Sequence, residues 1–396
     1  MLDRPRVVLF AVPTPPPYSG PEVVAELLLR TGLGPGFQIH HLKTNAAASN
    51  RDKGSLGFLK ISKFIILWLQ LVFVMIRYRP VAACIYLSQN KIGFIRAAIL
   101  AITAHIFGAK ILAQIHGANF RHFYDHLSRR FQWFIRKVFR RFSRVILLAE
   151  RLRPQLAGIY EGGNVRVLYN PVDVAAFKSN EIHTARCDSA CSMLFIGHLS
   201  VAKGFYDLLR AASSVLDAIP GSSLTFAGEW LAEERNIIFS EEGKALEGDM
   251  SAVRRLWDQL QERYGDRLRY LGVMARPEIF RVLESAHIFV LPSYSEGLSM
   301  AVLEAMAMGL PLVVTPVGAL PEILQDGVNG ILVETGNIAA LSSALIKLAR
   351  DPAMRKRMGI ANQELIKSQH TPKKIARKLA AIIDECTMQD LDPTYE

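Results

Sequence analysis

Cysteine is scarce, with four in 396 residues (Cys84, Cys187, Cys191 and Cys386), and no Asn-x-Ser/Thr triplet occurs. Both absences fit a reducing compartment and argue against a disulfide framework. A G-x-x-x-x-G-K-[ST] loop is missing, which removes P-loop kinases and ATPases. Gly32, Gly34 and Gly36 form only G-x-G-x-G, after a helical stretch rather than a strand, so a dinucleotide-binding oxidoreductase is disfavoured. The sole Asp-x-Asp, Asp390 and Asp392, falls in a polar tail, and His183, Cys187 and Cys191 lack a paired Cys-x2-Cys. No metal site is expected. The longest apolar run, Phe64 to Ile76, is broken by Gln70 and falls short of the roughly 20 residues of a spanning helix, so no transmembrane segment is expected. Arg4 and Arg6 lead straight into a strand-like Val-Val-Leu-Phe-Ala-Val, so no export signal is expected either.

What is present is globular: 50% of residues are apolar and 21% charged, and the length favours two domains. The net charge of +11 is unevenly spread. Residues 1–180 hold 25 Lys and Arg against 8 Asp and Glu, the remainder 22 against 28. A basic half beside an acidic half points to anionic partners on one side only. Short β-rich runs such as Val7 to Val12, Val81 to Leu87 and Lys110 to Ile115 alternate with helical stretches, and the alternation restarts at Ser192. The pattern predicts two Rossmann-like α/β domains with parallel sheets: residues 1–175, a linker over 176–191, residues 192–370, and a crossover helix and tail over 371–396. A charged stretch between Glu229 and Asp266 predicts an extra helical pair. Ligands of such folds bind at the carboxyl ends of the strands, so a cleft between the domains is the expected site.

Four strand-end loops carry the polar groups. Ser293-Tyr294-Ser295-Glu296-Gly297-Leu298-Ser299 follows an apolar strand, and Ser299 is placed to cap a helix containing Glu304. A glycine-preceded helix N-terminus cradles phosphate, and flanking carboxylates hold hydroxyls, whether of a sugar or of a ribose. Gly197-His198-Leu199-Ser200-Val201-Ala202-Lys203-Gly204 leaves another strand, with Lys203 suited to a diphosphate. Tyr18-Ser19-Gly20-Pro21 follows the first strand, and His116-Gly117 the fourth.

Together these residues resemble the family-4 retaining glycosyltransferases of the GT-B fold. The resemblance also rests on Asn170-Pro171-Val172-Asp173, the Glu296-x7-Glu304 pair, Pro311 to Thr315, Gly318, Glu322 and Asp326 to Gly330. It implies a metal-independent hexosyltransferase without a cofactor, whose substrate is a nucleotide-diphosphate sugar of unspecified base. It implies further that Glu296 contacts the donor sugar, Glu304 the ribose, Lys203 the diphosphate, His116 the transferred sugar, and the Gly272-Val273 loop the base. His116, Glu296 and Lys203 are then the catalytic candidates. Gly20, His198, Lys203, Val273, Glu296, Gly297, Leu298, Ser299 and Glu304 are the donor-binding ones. His198 stands where many relatives have arginine. The expected acceptor is a lipid-linked glycan in bacterial surface polysaccharide assembly. The alternatives are an inactive binding subunit or a sugar-nucleotide epimerase of the same architecture.

From Tyr124 onward, Leu127, Phe131, Phe134, Ile135, Val138, Phe139 and Phe142 recur at helical spacing. Arg129, Arg130, Arg136, Lys137, Arg140, Arg141 and Arg144 fall opposite, together with Trp133. Trp133, Arg136, Lys137 and Arg140 are therefore the candidate contacts to an anionic membrane surface or a lipid acceptor. A cytoplasmic, peripheral location on the inner face of the plasma membrane is the corresponding expectation. Nucleic acid is not expected, because no binding motif accompanies the charge.

Overall fold

The computed structural model describes residues 5–45, 58–160, 163–174, 191–230, 238–239, 245–246 and 249–388. They fall into two units, residues 1–171 with 370–396, and residues 172–369. The linker expected over 176–191 lies outside the described residues apart from Cys191, as do His183, Cys187, Asp390 and Asp392.

Unit 1 runs β1 (Arg6–Val12), α1 (Gly20–Thr31), β2 (Phe37–Lys43), α2 (Phe58–Tyr78), β3 (Ala82–Tyr86), α3 (Lys91–Ile106), β4 (Lys110–Gln114), α4 (Phe120–Asp125), α5 (Arg129–Phe139), β5 (Arg144–Leu147) and β6 (Val165–Val167). The six strands pair in parallel in the order β2-β1-β3-β4-β5-β6. Strands of a parallel sheet are covered on both faces, which is why β1 and β3 read as unbroken apolar runs rather than as alternations. Phe94 of α3 lies within 6.4 Å, centroid to centroid, of Phe120, Phe131, Phe134 and Phe139, which fastens α4 and α5 to α3.

Two sequence expectations change here. The helix read from Tyr124 onward is divided, because Ser128 starts α5 anew by accepting from the Phe131 amide (3.4 Å). Arg144 lies beyond it, buried on β5 and donating to the Ser143 carbonyl and Asn164, so it is no part of a basic helical face. Second, α2 extends past both ends of the interrupted apolar run. Its Ile61–Tyr78 segment is long and apolar enough to cross a membrane, and only 17% of that segment is buried. Gln70 interrupts the sequence run but not the helix.

Unit 2 runs β7 (Ser192–Ile196), α6 (Phe205–Ala218), β8 (Ser223–Ala227), β9 (Ile238–Phe239), β10 (Ala245–Leu246), α7 (Met250–Tyr264), β11 (Leu268–Tyr270), α8 (Arg276–Ser285), β12 (Ile288–Leu291), α9 (Met300–Ala307), β13 (Leu312–Val314), α10 (Leu320–Ile323), β14 (Ile331–Leu332), α11 (Ile338–Arg350) and α12 (Pro352–Gln369). Its parallel sheet is ordered β11-β8-β7-β12-β13-β14. Its core includes an aromatic cluster of Phe195, Phe205, Phe226, Trp230 and Trp257. Where an extra helical pair is expected after Glu229, the described residues form one helix, α7, and the antiparallel β9-β10 ladder. Asp249 caps that helix through the amides of Ser251 and Ala252.

The chain then returns to unit 1 as α13 (Pro372–Met388), which packs on α1 and β4. Asp384 pairs with Arg6, and Glu385 with Arg166 at 2.8 Å.

Candidate active site

The order of the unit 2 sheet reverses between β7 and β12: the chain leaves β7 toward β8 on one side, and β12 toward β13 on the other. A crevice opens at the carboxyl ends of strands at such a switch point. The loops that follow β7 and β12 are the two that the sequence motifs single out.

Close backbone approaches hold these loops. Gly204 has φ +69°, and a Cβ there would sit 1.9 Å from the Pro292 carbonyl oxygen, so a side chain would force the β7 loop off the β12 loop. The Tyr294 amide donates to the Ala202 carbonyl (2.8 Å). Gly318 meets the Glu296 and Gly297 carbonyls in the same way, and the Ala319 amide donates to Gly297 (2.8 Å). The Thr315 hydroxyl donates to the Ser293 carbonyl, tying in the β13 loop.

The consequence is a compact charge network. Lys203 Nζ donates to Glu296 Oε1 at 2.6 Å, and Ser293 Oγ donates to the same oxygen at 2.8 Å. Glu296 is buried and Lys203 is about a quarter exposed. A lysine and a glutamate to which the family resemblance gives separate ligands are thus each other's partners here. Glu304, in the second turn of α9, is buried and pairs with Arg276 Nη2 at 3.0 Å. Burial raises the pKa of the Glu304 carboxyl, and Arg276 opposes that rise. Arg276 was not among the sequence candidates. It opens α8, directly after the Gly272-Val273 loop, and only the fold brings it to Glu304.

Tyr294 donates to Asp207 Oδ2 (2.8 Å), and burial raises the pKa of both groups. Ser299 occupies the N-cap position of α9, but its hydroxyl makes no cap bond; its carbonyl opens the helix by accepting from the Leu303 amide (3.2 Å). Gly297 and Leu298 lead into that cap. Val273 is 75% exposed at the sheet's carboxyl edge, and His198 is half-buried in the β7 loop.

His116 and Gly20 belong to unit 1. Gly20 begins α1, followed by Pro21 in its first turn, and Ser19 donates to Glu22. His116 stacks on Tyr86 (4.1 Å), with both ring nitrogens shut off from solvent and without a protein hydrogen-bond partner. Burial pushes its pKa down to about 3, so the imidazole is neutral at physiological pH. On α5, Trp133 is 56% exposed beneath Lys137 (5.4 Å), Arg136 donates to the Tyr124 hydroxyl, and Arg140 is exposed. Among the described residues no cluster of three metal-ligating side chains occurs.

Residues 190–351 match the family model described as Glycosyl transferases group 1. The glycogen synthase of Mycobacterium tuberculosis is 26% identical over 220 residues, covering 55% of this chain and 48% of that one. The D-inositol 3-phosphate glycosyltransferase of Kribbella flavida is 30% identical over 209 residues, covering 50% and 46%. The chain thus spans about half the length of the curated relatives it matches. Among solved structures, the sucrose-phosphate synthase of Thermosynechococcus elongatus superposes with a TM-score of 0.73 at 18% identity, over 96% of this chain and 99% of that one. The Anabaena protein HepE, in complex with UDP and glucose, gives 0.68 at 16% identity, over 96% and 100%. These likenesses show the fold, GT-B, built of two Rossmann-like halves. The segment that matches the glycosyl transferases group 1 family, residues 190–351, is the one that carries Lys203, Ser293, Glu296 and Glu304.

Proposed function

We propose that the protein is a retaining, metal-independent glycosyltransferase that moves a sugar from a nucleotide-diphosphate sugar to a hydroxyl of a lipid-linked glycan, at the inner face of a bacterial plasma membrane. The observation that carries the reading is the Lys203–Glu296–Ser293 network at the sheet's switch point, within the segment that matches the family. In this reading the donor's diphosphate takes Lys203 from Glu296, with the amides at the starts of α6 and α9 as further donors. Glu296, released from its lysine, accepts hydrogen bonds from the donor sugar. Glu304, held by Arg276, accepts from the ribose hydroxyls. Neutral His116 bonds a hydroxyl of the transferred sugar.

The bond between the anomeric carbon and the phosphate oxygen breaks as the bond from the acceptor oxygen forms on the same face. The acceptor's proton passes to the departing phosphate. Lys203 and the helix N-termini stabilise the charge growing there, which is the protein's main electrostatic contribution. The basic composition of unit 1 supports an anionic, lipid-linked acceptor.

A thermal-shift panel of UDP, GDP and ADP sugars tests the donor, since a ligand at about 100 times its dissociation constant adds ~2.7 kcal/mol. Proton NMR of the product's anomeric centre tests retention. A protein stabilised by no sugar nucleotide overturns the reading, and an inverted product overturns its stereochemistry.

A further inference from the structure

Helix α2 is apolar on two opposite sides. Leu67, Leu71, Val74 and Met75 are buried in the interior of unit 1. Ile61, Ile65, Ile66, Leu69, Phe73 and Ile76 face outward, and Phe73 is 62% exposed. The remaining edge is polar: Lys63, Gln70 and Arg77, one heptad apart, are all exposed. Helix α3 packs beside it and continues the surface with Ile95, Ile99, Ile106 and Phe107, where Ile106 is 75% exposed. Trp68 Nε1 donates to Thr103 Oγ1 (3.0 Å), joining the two stripes. Helix α3 also holds α5 through Phe94, Phe131 and Phe134, so the exposed Trp133 belongs to the same helical layer. A continuous apolar surface of this extent needs a partner.

Charge identifies the partner. From Phe58 to Ile106, the span of α2 and α3, the chain contains no Asp or Glu and six Lys and Arg. Two copies of such a surface repel each other, whereas anionic headgroups complement it. Nor does α2 cross the bilayer. It is the crossover between β2 and β3, and its inner side is buried within the unit that carries both strands.

We propose that α2 and α3 form a monotopic docking surface, lying in the plane of an anionic bilayer with their outward isoleucines and Phe73 among the acyl chains. Lys63 and Arg77 then reach the headgroup level along the polar edge. The basic side of α5 adds long-range attraction but is not the anchor. This goes beyond the catalytic reading, since a soluble acceptor would leave it standing.

The test is co-sedimentation of the full chain with vesicles of mixed phosphatidylglycerol and phosphatidylcholine, before and after molar salt. The expected result is binding to the anionic vesicles that persists in high salt. Ile66→Asp with Phe73→Asp should lower partitioning by about tenfold or more, equivalent to ~1.4 kcal/mol. Ile66→Leu with Phe73→Leu should retain it, and Arg140→Glu with Arg141→Glu should weaken it only at low salt. Circular dichroism and nucleotide binding by the same samples report that both units remain folded, independently of any transfer assay. Wild-type partitioning by the double aspartate variant overturns the proposal, as does complete release of the wild type by salt. A wild-type dimer that ignores vesicles and is dispersed by the two aspartates overturns it in favour of a second copy.

Discussion

Both units are built on six-stranded parallel sheets, with one strand beyond the first in unit 1 (β2) and two in unit 2 (β8 and β11), and they differ in how they treat their polar groups. In unit 2 the groups at the sheet's carboxyl edge are matched to one another: Lys203 with Glu296 and Ser293, Arg276 with Glu304, Tyr294 with Asp207. In unit 1, His116 is neutral, with ring nitrogens that have no protein partner, while the basic and apolar groups are turned outward on α2, α3 and α5. The proposed reading gives the two units different ligands. Pairing preorganises charge for a small, highly charged ligand, whereas an acid-free, apolar exterior suits an extended anionic one.

The sharpest way to break this contrast is to remove a member of the unit 2 network. Glu296→Ala should lower turnover about 100-fold or more, ~2.7 kcal/mol in the barrier, in steady-state kinetics on folded protein. Wild-type turnover would detach the network from catalysis. The pH dependence of unit 1 gives a somewhat smaller effect. His116 holds no proton in the folded chain until pH falls to about 3, whereas the unfolded chain protonates it near 6.5. A folded-state pKa below the unfolded one contributes stability that is complete above pH 6.5 and is lost as pH falls toward 3. At pH 5 the loss is ~2 kcal/mol. His116→Gln should remove that component, seen as a smaller drop in Tm between pH 7 and pH 5 than in the wild type.

Lys203→Ala should weaken a nucleoside diphosphate by about tenfold, ~1.4 kcal/mol, and leave the nucleoside unchanged, as titration calorimetry would register. Arg276→Ala and Glu304→Ala should both raise the donor KM, and the double variant should cost less than the two singles combined. Full additivity would mean that the pair does not act as a unit. The smallest expected effect is that of EDTA, which should leave turnover unchanged. Loss of activity restored by magnesium or manganese would remove metal independence from the proposed mechanism.

Much of this was legible in the chain. The parallel sheets show as unbroken apolar runs, and Gly204, Glu296 and Glu304 stand at spacings that place the first two on strand-to-helix loops and the third in the second turn of a helix. What escaped needed tertiary information. Arg276 has no local signature, because its partner lies on another helix. The Tyr294–Asp207 bond joins residues 87 apart. Arg144 was assigned to a helical face because periodicity carries past a helix end that only hydrogen bonding marks. On α2 an apolar residue reads alike whether it faces the core or the outside. Composition therefore hid the surface that burial reveals.

The return of the chain through α13 has a consequence for synthesis. Unit 2 is continuous, residues 172–369, whereas unit 1 is assembled from two separated stretches. The two crossing points are tied, since His370 Nδ1 lies 3.0 Å from the Asn170 carbonyl oxygen. As the polypeptide leaves the ribosome, the sheet of unit 1 emerges first but waits for α13, the Asp384–Arg6 pair and the Glu385–Arg166 pair. Unit 2 has all its residues earlier and is completed while unit 1 is still open on that side. Stalling or truncation before Pro372 thus leaves a finished unit 2 attached to an unfinished unit 1, whose apolar helices α2 and α3 stay exposed.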